Sequence, residues 1–219
     1  MRTTARALAI AAVAASASGA LLTASPAHAV PTPTPSTSPS VSTKQDLGLL
    51  APAKASVSHP AVRQKYGMWC APATMSVILR TYGYSRTQEQ LAREMKTDNK
   101  KGTPSKNIRL VFNSYVNKKG FTMVWGKTKD PAALLNNIAY DVGVLKRATA
   151  IIVDADRMPY GKVAGAPNTH MVTVRGYDKV KRTVTVWDPA NNRSNGNHTV
   201  PVKALSQAAD PIGYLDISR

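Results

Sequence analysis

The 219-residue sequence is long enough for one domain with a sizeable core, and its single cysteine, Cys70, excludes a disulfide framework as the source of stability. Lysine and arginine number 29 against 12 acidic residues, a formal charge of +17, which suits polyanionic surroundings such as teichoic acids, anionic lipids or nucleic acid. The basic residues are scattered at apparent element ends, as in Lys100-Lys101 and Lys181-Arg182, with no basic helix and no nucleic-acid motif, so a solvated basic surface is expected and specific nucleic-acid binding is not.

In chain order, residues 1–29 open with Arg2 and Arg6, continue as an apolar Ala-rich run broken by Gly19, and end in Ala27-His28-Ala29. This is the pattern of a secretory signal peptide with an A-x-A cleavage site, and its removal takes two charges from the +17. No later stretch is apolar enough to span a bilayer. Residues 30–55 begin "VPTPTPSTSPSVSTKQ", with almost no apolar bulk to offset the entropy of ordering, and read as a disordered linker. Residues 56–219 read as one domain.

The first half of that domain is helical. After Cys70, "APATMSVILRTYG" sets Met75, Ile78, Leu79 and Tyr82 on one face and ends at Gly83. "SRTQEQLAREM" carries Ser85 and Gln88 at capping-box spacing, followed by Leu91 and Met95 on one side. "TPSKNIRLVFNSYVNKKG" opens at Thr103-Pro104, carries Ile108, Val111, Phe112 and Tyr115, and stops at Gly120. "DPAALLNNIAYDVG" has Asp130 as N-cap and Pro131 at the first helical position.

The second half turns to strands: "TAIIVDAD", "THMVTVRGYD", "RTVTVWDPA" and "PIGYLDIS" are rich in Val, Ile, Thr and aromatics and separated by turn residues. "PYGKVAGAPN" reads as a loop, as does the polar stretch around His198. Helices followed by strands predict an α+β fold, a helical part against an antiparallel sheet.

Cys70 stands where the first helix should start, with Pro72 suited to the first turn. A thiol works as a nucleophile once ionised, which a helix N-terminus and a nearby imidazolium both favour. Of the histidines, His28 leaves with the signal peptide, His59 lies near the linker and His198 in a polar stretch, whereas His170 opens a strand, rigid yet reachable at one end. "HMVTVRGY" and "TVTVWDP" form a hairpin centred near Lys179, which places Asp188 opposite His170 to within about one residue. A carboxylate there can hold one ring nitrogen and leave the other for the thiol. Gln64, upstream of Cys70, offers a side-chain amide that could stabilise an oxyanion together with the Cys70 backbone N–H.

The segments "QKYGMWCAPATMSVIL", "THMVTVRGYD" and "VWDPA" together resemble the papain-like cysteine peptidases, specifically the bacterial group related to the double-glycine leader peptidases of bacteriocin exporters. The resemblance spans essentially the whole predicted domain. It implies Cys70 as nucleophile, His170 as general base and acid, Asp188 as orienting residue and Gln64 as oxyanion donor, with a helical lobe facing a sheet lobe across the cleft. Orienting residues vary among papain-like enzymes, and Asn191 or Asn192 is an alternative to Asp188. Exporter-linked members carry membrane spans and an ATPase domain that this sequence does not display, so leader processing during export is not expected.

The leading expectation is therefore a secreted, monomeric cysteine peptidase acting on peptide or protein substrates through an acyl-enzyme, and possible contact with anionic cell-wall polymers follows from its charge. A rival keeps the thiol chemistry but acts on wall peptides or transfers acyl groups. Wall enzymes of that type usually have Asp rather than Trp before the cysteine and lack the upstream glutamine. A third reading is a non-catalytic papain-like wall-binding protein. One cysteine and scattered histidines do not make zinc spacing, so neither a metal nor another cofactor is expected.

Overall fold

The computed structural model describes residues 43–161, 169–192 and 195–219. The expected signal peptide, the spacer up to residue 42 and the stretch 164–168 before His170 lie outside them. Seven strands form one antiparallel sheet, in the order β2-β7-β3-β4-β5-β6, with β1 added against β4. They are β1 (Lys54–Ser56), β2 (Thr122–Gly126), β3 (Thr149–Asp154), β4 (Thr169–Asp178), β5 (Thr183–Asp188), β6 (Gly196–Pro201) and β7 (Ala209–Ser218).

Alternation along each strand divides two cores. On one face, Ala150, Met171, Leu215 and Ile217 pack with three helices: α2 (Cys70–Thr81), α3 (Gln88–Glu94) and α4 (Ser105–Val116). Met75, Ile78 and Leu79 of α2, Leu91 of α3 and Phe112 of α4 fill that core. On the other face, Ile151, Val172, Val174, Val184 and Val186 meet Leu134, Ile138 and Leu205 from α5 (Pro131–Ile138) and α6 (Val202–Ala208). The α+β expectation holds: a helical lobe stands against an antiparallel sheet. Helices also cover the second face, and α2 is buried all along Ala71–Leu79 rather than on one stripe.

Several local expectations move. The capping box of α3 is Thr87 with Gln90, not Ser85 with Gln88, because the Gln88 amide turns away to hold the 63–65 backbone. Pro104 caps α4 from outside, and Gly120 ends the following 3-10 turn with φ 75. Asp130 caps α5 as expected, with Pro131 at its start, and the helix widens into a π turn over Ala139–Val144. The polar stretch at His198 is strand β6, zipped to β5 from Thr183↔Pro201 to Asp188↔Gly196. β2 and α6 had no counterpart in the expected elements.

The linker boundary also changes. Residues 43–56, expected to be disordered as far as 55, form α1 (Lys44–Leu50) and β1. Thr43 and Asp46 make a capping box, and Gly48 lies so close to Asn136 that a Cβ would sit 2.2 Å from its carbonyl oxygen. Lys44 reaches the wholly buried Asp141 at 3.0 Å and also pairs with Asp216. Lys179 Nζ donates to the Leu49 carbonyl at 2.8 Å, satisfying an open end of α1. A short polar segment thus gains order from tertiary partners that composition does not reveal.

Candidate active site

Cys70 is the first residue of α2. Trp69, which precedes it, supplies no side-chain cap, so the helix start is left open to another hydrogen-bond acceptor. Its own indole donates to Asn99 Oδ1 at 2.8 Å and its ring packs edge-on against Tyr66. One turn into the helix, Thr74 Oγ1 donates to the Met171 carbonyl at 3.0 Å, a buried bond that clamps α2 beside His170 on β4. Cys70 and His170 thus come from a helix and a strand that are tied directly together.

His170 is 2% exposed and Asp188 0%. His170 Nε2 lies 2.7 Å from Asp188 Oδ1. A carboxylate oxygen accepts, so Nε2 carries the proton. Cys70 and His170 line one cavity, and with Nε2 taken by Asp188 the ring nitrogen left for the sulfur is Nδ1. Burial works against the charged ring, but the bond to Asp188 and the electrostatic influence of Cys70 and Asp188 outweigh it and push His170 up to about 10. The imidazolium is therefore the favoured form at neutral pH.

The hairpin behind this pairing differs from the expected one. Its turn occupies Lys179–Arg182, Thr173 pairs with Trp187, and the register slips between Val174 and Gly176. Extending that register places Asp188 beside Val172, two residues from His170 rather than opposite it. Two residues preserve the face, so the side chains still meet diagonally. Asn191 is exposed and Nε2 of the ring is held by Asp188, not by an asparagine.

Gln64 is buried in a turn held from several sides. Its backbone N–H donates to the Pro189 carbonyl at 2.7 Å, Trp187 Nε1 donates to the Val62 carbonyl, and Gln88 brackets Arg63 and Lys65. The segment before Cys70 is thereby fastened to the strand that carries Asp188. The Gln64 amide, however, donates to the Tyr66 and Gly67 carbonyls at 3.0 and 2.7 Å, while its Oε1 is buried without a partner. Both amide hydrogens are committed within the turn. His59 packs edge-on against Trp187, away from the thiol, and burial holds it below its ordinary range.

Tyr160, in the loop after β3, had no signal in the sequence. Its hydroxyl lies 3.1 Å from Asp188 Oδ2 and its ring stacks on His198 at 3.7 Å. Beside Cys70 and His170 opens a cavity of about 260 Å3, walled by Met68, Ala71, Ile108 and Met171 with Lys101 at its edge. A second, of about 220 Å3, shares Ile152 and Thr169 with it, so space flanks the strand mouth on both sides. Among the described residues no group of three or more His, Cys, Asp or Glu is arranged for a metal, and no helix is long and apolar enough to cross a membrane.

Comparison with known proteins agrees with this architecture. The model of the Peptidase_C39 like family matches residues 57–216. A search of curated proteins found no match. Among solved structures, a Bacillus anthracis protein described as C39-like peptidase aligns at 15% identity over 76% of this chain and 98% of its own, with a TM-score of 0.55. The peptidase domain of Streptococcus ComA, a bifunctional ABC transporter, aligns at 17% identity over 70% and 94%, with a TM-score of 0.48. Xylellain, a cysteine protease from Xylella fastidiosa, aligns at 13% identity over 79% and 89%, also with a TM-score of 0.48. The family match extends from the turn before Cys70 to the last strand, across both lobes and the thiol between them, and the chain belongs to the Peptidase_C39 like family and is a cysteine peptidase.

Proposed function

We propose that the chain hydrolyses peptide bonds through Cys70, His170 and Asp188 by way of an acyl-enzyme. The observation that carries this reading is the buried His170 ring, bonded to Asp188 and lining one cavity with Cys70. Cys70 sulfur attacks the carbonyl carbon, and the carbonyl electrons move to oxygen. The Cys70 N–H at the uncapped start of α2 faces that oxyanion. Gln64 joins it only by exchanging one of its turn carbonyls for the oxyanion. His170 gives its Nδ1 proton to the amide nitrogen, the C–N bond breaks and a thioester remains. Water then attacks the thioester, His170 takes its proton, and the C–S bond breaks to release the acid and Cys70.

Wild type and Cys70→Ala compared on casein or a peptide library, with mass spectrometry of the products, test the reading. Cleavage confined to the wild type is expected; equal cleavage by the variant sinks it. The signal-like residues 1–29 support action outside the cell, the basic charge that remains after their removal supports contact with anionic wall polymers, and the enzyme is proposed to act as a monomer. N-terminal sequencing of exported protein, salt elution from wall fragments and the sedimentation coefficient check these three points.

A further inference from the structure

We infer that Tyr160, clamped by His198, is a positioning residue of this peptidase, holding the second oxygen of Asp188 so that the first stays aimed at His170. The inference rests on the reading of Cys70, His170 and Asp188 as the working group. It adds two residues to that group, one from a loop and one from β6.

Each oxygen of the buried Asp188 carboxylate needs a donor. Oδ1 of Asp188 accepts from His170 Nε2 at 2.7 Å and from the Ala190 N–H at 2.8 Å. Oδ2 accepts from the Tyr160 hydroxyl at 3.1 Å. Asp188 has no exposed surface, so an unmet oxygen there would carry a desolvation cost and favour rotation of the carboxyl group. Rotation would exchange the oxygens and disturb the bond to His170. The Tyr160 donor removes that incentive.

Tyr160 suits the task because it remains a donor. Burial, reinforced by the charge of Asp188, pushes its hydroxyl well above the ordinary tyrosine range, so it stays protonated throughout the working range of a peptidase. A loop side chain needs a support, and β6 provides one. Asp188 pairs with Gly196 and Val186 with His198, so His198 stands one alternation from Asp188 on the same sheet face. Its ring lies 3.7 Å from that of Tyr160, inclined by 15°. The stack holds the phenol over the carboxylate and keeps water from it.

Hydroxyl and ring act in the same direction on His170, which gives the test its sign. The hydroxyl keeps Oδ1 of Asp188 aimed at Nε2, and without it the carboxyl group turns and stabilises the imidazolium less. The ring excludes water, and without it solvent screens the same attraction. The experiment is kcat/KM against pH for the full chain on a casein-derived fluorogenic peptide. Tyr160→Phe should lower the alkaline limb by about half a pH unit, and Tyr160→Ala, which also removes the ring, should lower it further. His198→Phe, which keeps a stacking ring, should follow the wild type, and His198→Ala should shift as Tyr160→Ala does.

Thermal melts of each variant separate folding from positioning. Loss of activity or melting temperature with an unmoved limb overturns the proposal and leaves Tyr160 a packing residue. An unmoved limb with Tyr160→Phe beside a lowered one with Tyr160→Ala also overturns it, because only the ring would then matter. Cleavage surviving in the Cys70→Ala control would instead remove the reading beneath it, so the two failures are distinct.

Discussion

Replacing Asp188 with asparagine keeps the shape of that side chain beside His170 and removes its charge. The amide oxygen can still accept from His170 Nε2 and the Ala190 N–H, while the amide nitrogen, in place of Oδ2, can donate to the Tyr160 hydroxyl. Hydrogen bonds to charged groups are worth about 1.5–3 kcal/mol and neutral ones about 1. The imidazolium therefore loses on the order of 1 kcal/mol, close to one pH unit. His170 is raised to about 10 with the carboxylate in place, so a weaker acceptor moves the alkaline limb of kcat/KM downward, and activity near neutrality falls less than about tenfold. Asp188→Ala should be far worse. It orphans the His170, Ala190 and Tyr160 donors in a region closed to solvent, at about 1–3 kcal/mol each. Activity–pH profiles and urea unfolding of both variants provide the assay. An asparagine variant with an unmoved limb, or an alanine variant as stable and active as the asparagine one, refutes the reasoning.

Burial pushes the Asp141 carboxyl up to about 7 while Lys44 pulls against it; the fold therefore binds that proton more tightly than the unfolded chain does, and its contribution to stability, complete below about pH 4, is lost as pH rises through 7. Asp141→Asn should flatten that decline in urea unfolding measured across the window. His170, likewise raised, contributes stability that is complete below about 6.5 and lost as pH rises through about 10, so His170→Gln should remove an alkaline loss. Lys44→Ala leaves Asp141 buried without its cation and should cost about 3 kcal/mol, yet kcat/KM should stay within about twofold, because the first strand joins β4 at Gly176–Asp178, the end away from His170. Gln64→Ala should lower the melting temperature and reduce kcat less than about tenfold, since its donors serve its own turn; a loss of about a hundredfold would place the amide in the oxyanion site instead.

Elements whose order is written locally were legible. Pro131 after Asp130 marked α5, and the alternation of "THMVTVRGYD" gave β4 from Thr169 to Asp178. Elements ordered by distant partners were not. Residues 43–56 lack apolar bulk, and Lys44 finds its acceptors in the π turn and the last strand. β6 carries polar residues at its start because only part of it faces the core, through Val200. Gln88 has the spacing of a cap but is claimed by the backbone on either side of Gln64.

The site was legible for a narrower reason. The hairpin estimate misplaced Asp188 by two residues along β4, because the turn takes four residues and the register slips near Arg175. Side chains alternate with a period of two, so an error of two leaves the carboxylate on the histidine's face, whereas an error of one would have put it on the other. Diagonal neighbours in an antiparallel pair remain within reach of long side chains, which is why the 2.7 Å bond forms despite the offset. No such parity protects Tyr160 or the Gln64 turn. Tyr160 comes from a loop without periodicity, and its contact depends on where His198 holds it. The orientation of the Gln64 amide depends on two carbonyls of its own turn, and its spacing from Cys70 says nothing about which way its hydrogens point.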